Sequence, residues 1–137
     1  MAASEEPAVR QAAAAFHEAL NAMLKGDAGP MAAVWSHADD VTYMGPDGTI
    51  RVGWQEVRAS WQAQAAMRLG GEVRGEATRV TLGRDLAATH GYVRGHNFDA
   101  GGTRHEVSIR ETNLFRREDG AWKMVGCHAD PLPILRP

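Results

Sequence analysis

A single cysteine, Cys127, stands in the whole chain. No internal disulfide framework can form, and one lone thiol suits a reducing compartment. Positive charge is not in excess either: 15 Lys and Arg against 17 Asp and Glu give a formal net charge of -2 at pH 7. The basic residues are scattered among acids, so nucleic acid is not expected as a partner, because phosphate binding needs a basic patch. No apolar run approaches the length of a membrane span. The opening residues, Met-Ala-Ala-Ser-Glu-Glu-Pro, carry neither the positive n-region nor the apolar stretch of a signal peptide. The expectation is a cytoplasmic protein with no membrane partner. No G-x-S-x-G, P-loop or G-x-G-x-x-G is present, and no His/Cys/Asp spacing resembles a metal motif. No metal and no cofactor are expected.

What the chain does have is helical periodicity first and strand periodicity after. At 137 residues it is expected to form one domain spanning 1–137. Ser4 is a candidate N-cap, and Val9, Ala13, Phe16, Leu20 and Met23 recur at alternating steps of four and three, an apolar helix stripe ended by Lys25-Gly26. Gly29-Pro30 opens a short helix with Met31, Val34 and Trp35 on its inner side. Val41–Met44 reads as a short strand, followed by the turn cluster Gly45-Pro-Asp-Gly48. A third helix starts near Gly53, with Trp54, Val57, Trp61 and Ala65 as its apolar face, and stops at Gly70-Gly71. Four long strands are expected at about 72–82, 86–98, 104–117 and 121–130, the last two joined at Asp119-Gly120. Helices grouped before a meander imply an α+β layer: three N-terminal helices on a strongly curved antiparallel sheet, a cone or barrel with an internal pocket.

Alternation along the strands predicts which side chains face that pocket. On 86–98 the large residues Leu86, Ala88, His90, Tyr92, Arg94, His96 and Phe98 share one face, which is assigned inward. On 104–117 the inward set is Val107, Ile109, Glu111, Asn113 and Phe115. On the last strand it is Trp122, Met124, Gly126, His128 and Asp130, with Lys123 marking the outer side. A single bulge would reverse part of these assignments. Tyr43 is expected to join the inward group, and Trp61 to line the cavity.

Two readings of the inward polar residues stay open. Arg94 and Glu111 form a structural ion pair, or Arg94 binds a ligand's acid group. His128, with Glu111 or Asp130 as the carboxylate that orients it, is a general acid/base working near neutral pH, or a core histidine satisfied by a carbonyl. His90 and His96 lie about 20 Å apart along one strand and cannot share a metal. His17 is expected at the surface, and His37 as a cap of the short helix. Cys127 is expected to point outward and to be no nucleophile.

Three stretches carry a resemblance: Trp35-Ser-His-Ala-Asp-Asp-Val-Thr-Tyr-Met-Gly-Pro46, Val52-Gly-Trp-Gln-Glu-Val57, and the Arg-Arg-Glu-Asp-Gly-Ala-Trp-Lys-Met-Val run to His128. Together they resemble the nuclear transport factor 2-like superfamily in its SnoaL-like branch, the ketosteroid isomerase-like cone. That superfamily includes ketosteroid isomerases, polyketide cyclases, scytalone dehydratases and the association domain of calcium/calmodulin-dependent protein kinase II, so function has to be argued from the site. Ketosteroid isomerases carry a general-base Asp where this chain has Gly45, so steroid isomerisation is not expected. Similarity to scytalone dehydratase implies that Tyr43, Tyr92, His90 and His128 handle water and protons. Similarity to the kinase association domain over Tyr92-Val-Arg94 and Glu111-Thr-Asn113 implies carboxylate binding, with Arg94 retained and Asn113 replacing an arginine.

The implied function is a small-molecule-binding cone protein. It would be a cofactor-free acid/base enzyme of isomerase, cyclase or dehydratase type, acting on a small apolar carbonyl or cyclic compound. His128, Glu111 and Asp130 would be catalytic, and Tyr43, Tyr92, Arg94, Asn113 and Trp61 would bind substrate. The alternative is a non-catalytic ligand-binding or dimerising accessory domain. The resemblance implies a homodimer through the outer sheet face, where Val125, Cys127, Ala129, Thr112 and Leu114 are expected to form an apolar strip.

Overall fold

The computed structural model describes residues 4–130. Helix α1 (Glu6–Leu24) has Glu5, not the expected Ser4, at its N-cap position and no side-chain cap there; Ser4 Oγ accepts from the Glu6 amide at 3.2 Å just ahead of it. It ends as the Lys25-Gly26 pair predicts: Gly26 takes φ 101°, and the amides of Gly26 and Asp27 reach back to the carbonyls of Met23 and Ala22, both at 2.9 Å. Helix α2 (Gly29–Val34) is short, and α3 (Trp54–Ala66) follows Gly53. The long strands are β3 (Gly71–Leu82), β4 (Leu86–Phe98), β5 (Arg104–Glu118) and β6 (Ala121–Asp130). Asp119 and Gly120 both take positive φ, 51° and 79°, the geometry a two-residue hairpin needs to follow the strand twist.

The sheet has six strands in the order β2-β1-β6-β5-β4-β3, where β1 is Thr42–Met44 and β2 is Ile50–Val52. It is open, with β2 and β3 as its edges. Two features depart from the expected sheet. Strand β1 (Thr42–Met44) runs parallel to β6, and residues after the Gly45–Gly48 turn return as a further strand, β2 (Ile50–Val52), antiparallel to β1. The helices cover the concave face, and the core lies between. Trp35, Phe16, Phe115, Met31 and Met124 are its largest fully buried side chains.

The face assignments hold on β5 and fail on two neighbours. On β5, Glu111, Asn113 and Phe115 are buried inward as expected. On β4 the order is reversed: Ala87, Thr89 and Val93 are buried, whereas His90 and Tyr92 are exposed. The physical reason is register: opposed residues of an antiparallel pair share a face, and Ala87, Thr89, Gly91 and Val93 lie opposite Phe115, Asn113, Glu111 and Ile109, so they take the inside while His90 and Tyr92 go to the convex side.

On β6 one bulge does what alternation alone cannot. Phe115 pairs with Met124 but Leu114 pairs with Gly126, leaving Val125 unpaired in the ladder. Trp122 and Met124 face inward; beyond the bulge Cys127 and Ala129 take the inner face, and His128 and Asp130 turn outward. The expected outer apolar strip is corrected with them. Thr112 and Leu114 remain outside, Val125 is buried at the bulge, and Cys127 and Ala129 line the interior.

Candidate functional site

The polar centre of the interior comes from the first helix. His17 lies four residues after Ala13 and three before Leu20, on the flank of the apolar stripe, and is only 8 % exposed. Its ring reaches the sheet through a gap at Gly75. A β-carbon at that position would sit 2.6 Å from His17 Nδ1. His17 Nε2 is 2.5 Å from Glu111 Oε1, across 94 residues of chain. Glu111 is 7 % exposed and stands between Gly91 of β4 and Ala129 of β6 in register, two small neighbours that leave its carboxyl room. A carboxylate so buried requires a partner, and an imidazole supplies one that can also take or give a proton near neutral pH.

Glu111 opens into a cavity of about 180 Å³ between α1, α3 and the sheet. Phe16, Leu20, Met23 and Leu24 form the α1 wall, Trp61 and Gln64 the α3 wall, and Val73, Val93, Val107, Ile109, Cys127 and Ala129 the sheet wall. Exposed Pro46 and Met67 stand at its mouth. Tyr43 closes the side next to α3. Its ring stacks on Trp61 at 4.5 Å and 20°, and its hydroxyl accepts from Gln64 Nε2 at 3.4 Å. Burial pushes the Tyr43 pKa well up, so the hydroxyl keeps its proton and remains a donor. The hydroxyl oxygen lies 2.6 Å from where a β-carbon of residue 45 would be. Gly45 is thus what admits the phenol: the hydroxyl occupies space that any side chain at 45 would need.

Two further buried polar groups lie in the interior. Trp61 is buried, and its Nε1–H has no partner among the described residues. Asn113, 0 % exposed and in register with Thr89 and Cys127, has neither side-chain atom hydrogen-bonded among the described residues. Cys127 is buried, and burial together with the Glu111 charge raises its pKa well above the usual thiol range. It therefore stays a neutral thiol. Iodoacetamide at pH 8 is expected to leave Cys127 unmodified in the folded protein and to alkylate it fully in urea, read by intact mass. Rapid labelling of the native protein would contradict this burial.

The structure brings four of the expected site residues together and separates four. Tyr43, Trp61, Glu111 and Asn113 face the interior. Tyr92, Arg94, His128 and Asp130 do not. Tyr92, 36 % exposed, lies on the convex face under the Arg94 guanidinium, 3.9 Å from its ring centre. Arg94 pairs with Glu76 at 3.1 Å, not with Glu111. His128 Nε2 and Asp130 Oδ2 pair at 2.6 Å on that face, with half of the His128 side chain exposed. These are corrections, and the β4–β5 register and the β6 bulge are their causes. His17, placed at the surface by the sequence reading, is the histidine that meets Glu111. Its spacing from Ala13 and Leu20 was the available signal. His37 caps α2 as expected, 2.7 Å from the Ala32 carbonyl, and stacks on Trp54 at 4.5 Å.

Among the described residues no group of three or more His, Cys, Asp or Glu side chains could hold a metal ion. No helix among them is long and apolar enough to cross a membrane.

The family model described as SnoaL-like domain matches residues 9–133. A provisionally assigned dehydratase of the NTF2-like family from Streptomyces avermitilis superposes with a TM-score of 0.81 at 23% identity, over 94% of this chain and 97% of that one. A ketosteroid isomerase-like protein from Erwinia carotovora atroseptica gives 0.79 at 22% identity, over 98% of each chain. A provisionally assigned calcium/calmodulin-dependent protein kinase type II association domain from Thiobacillus denitrificans gives 0.72 at 27% identity, over 90% of this chain and 94% of that one. No curated protein matches.

Proposed function

The chain belongs to the SnoaL-like domain family, of NTF2-like fold, and from that premise we propose that it is a cofactor-free acid/base enzyme of isomerase, dehydratase or cyclase type acting on a small carbonyl compound. The observation that carries this reading is the His17–Glu111 pair, buried at the side of a largely apolar cavity. A carboxylate needs neither metal nor cofactor to take a proton from carbon next to a carbonyl. The C–H bond breaks toward Glu111, its electron pair moves into the enolate, and the oxygen takes a hydrogen bond from the Tyr43 hydroxyl. Glu111 then returns the proton to the same or a vinylogous carbon. His17 holds the carboxyl in place from the opposite side.

The test uses cyclohexenone in deuterium oxide. Deuterium is expected to enter the positions activated by the carbonyl faster with protein than without. Exchange at the uncatalysed rate for every ketone that raises the melting temperature would leave a ligand-binding module, the second reading. That reading is favoured by one observation: Glu111 already has a partner in the free protein.

We also propose a homodimer through the convex sheet face. Exposed Leu86, Tyr92 and Leu114 lie there. Sedimentation equilibrium is expected to give twice the chain mass, and a monomer at micromolar concentration would contradict it.

A further inference from the structure

We infer that the cavity is selective for an uncharged, single-ring ligand bearing one hydrogen-bond acceptor, with that acceptor at the Tyr43–Trp61 wall. The inference rests on the acid/base reading only for placing the reactive carbon at Glu111; the binding claim stands on the cavity itself.

Three observations carry it. The first is charge. Among the described residues no lysine or arginine lines the cavity, and its ionisable acid, Glu111, is paired with His17. A carboxylate ligand would bring a second negative charge into a low-dielectric space without a counter-ion. An ammonium ligand would have to displace His17 from Glu111. The carboxylate-binding role expected for Arg94 is unavailable inside, because that guanidinium lies on the convex face with Glu76.

The second observation is the donor. The Tyr43 hydroxyl accepts from Gln64, and its own hydrogen has no acceptor among the described residues. The Trp61 Nε1–H has no partner among the described residues but is closed off from the cavity, so the Trp61 ring serves as the apolar backing of Tyr43 and the Tyr43 hydroxyl is the donor that this wall offers. A carbonyl oxygen is the complementary group.

The third is size. An apolar cavity of about 150 Å³ holds benzene. About 180 Å³ therefore admits one ring with a carbonyl and a small substituent, with any further atoms emerging between Pro46 and Met67. A fused four-ring steroid would place one ring inside and leave the others outside between Pro46 and Met67, losing most of its apolar burial.

The test compares matched ligands on the intact chain by calorimetry at pH 7. Cyclohexenone is expected to bind at least about tenfold more tightly than cyclohexanecarboxylate or cyclohexylammonium. A steroid enone is expected not to compete. Tyr43→Phe should weaken cyclohexenone about fivefold and leave methylcyclohexane unaffected. Should Tyr43→Phe fail to fold, methylcyclohexane binding to the unaltered chain as tightly as cyclohexenone would overturn the inference instead. Either charged analogue binding as tightly as the ketone, or a steroid displacing it, would overturn the inference. Selective ketone binding without proton exchange would instead overturn the enzyme reading and leave the ligand class standing.

Discussion

Glu111→Gln is expected to lower cyclohexenone exchange by about 10²–10⁴-fold, the usual contribution of a positioned acid/base group, while ligand affinity changes little. The substitution is nearly isosteric and keeps a group that His17 can bond, so the 2.5 Å contact relaxes without opening a hole. What it removes is the ability to accept a proton. A drop in kcat with KM held is therefore the signature of a group acting in the transition state, and a rise in KM alone would signal binding only. His128→Ala supplies the contrast. That side chain lies on the convex face with Asp130, and its loss is expected to leave both affinity and exchange unchanged. Gly75→Ala tests the same pair from behind, because its methyl group would push the imidazole away from Glu111. Wild-type exchange in Glu111→Gln would remove the carboxylate from the mechanism.

The contrast between Glu111 and His128 also shows what the sequence could and could not convey. Element boundaries were legible because their signals are local. Turn residues, caps and period placed every long strand within about one residue of its observed ends. Facing is not local. The inward side of β4 is decided by its register with β5, which sets Ala87, Thr89 and Val93 opposite the inward Phe115, Asn113 and Ile109. Size read along one strand pointed the other way. On β6 the deciding feature is one unpaired residue, Val125, which no composition marks. The result is an interior half foreseen. Glu111 and Asn113 sit on a regular strand and were placed correctly. His128 and Asp130 lie beyond the bulge and were not. The pairing of His17 with Glu111 joins residues 94 positions apart and depends on a missing β-carbon at Gly75.

Trp35→Ala is expected to give the largest loss of stability, about 3–5 kcal/mol, because truncating a buried aromatic removes its transfer energy and leaves a cavity. For a domain with about 5–15 kcal/mol in total, that is a substantial share. It corresponds to a fall in melting temperature on the order of 10–20 °C. Trp35 is fully buried and bridges to Met124 in the sheet. Its ring lies 6.5 Å from Tyr43 and 6.3 Å from Trp61. It does not line the cavity, yet it backs the two residues that carry the donor wall. Ligand affinity is therefore expected to fall along with stability, by loss of position rather than loss of contact. Trp35→Phe separates the two effects. It keeps a ring behind Tyr43 and Trp61 and removes an indole N–H that has no partner among the described residues, so it is expected to cost much less in both measurements. A melting temperature lowered by less than about 3 °C in Trp35→Ala would show that the core can close over the gap. The donor wall would then have to be held by α3 and β1 alone.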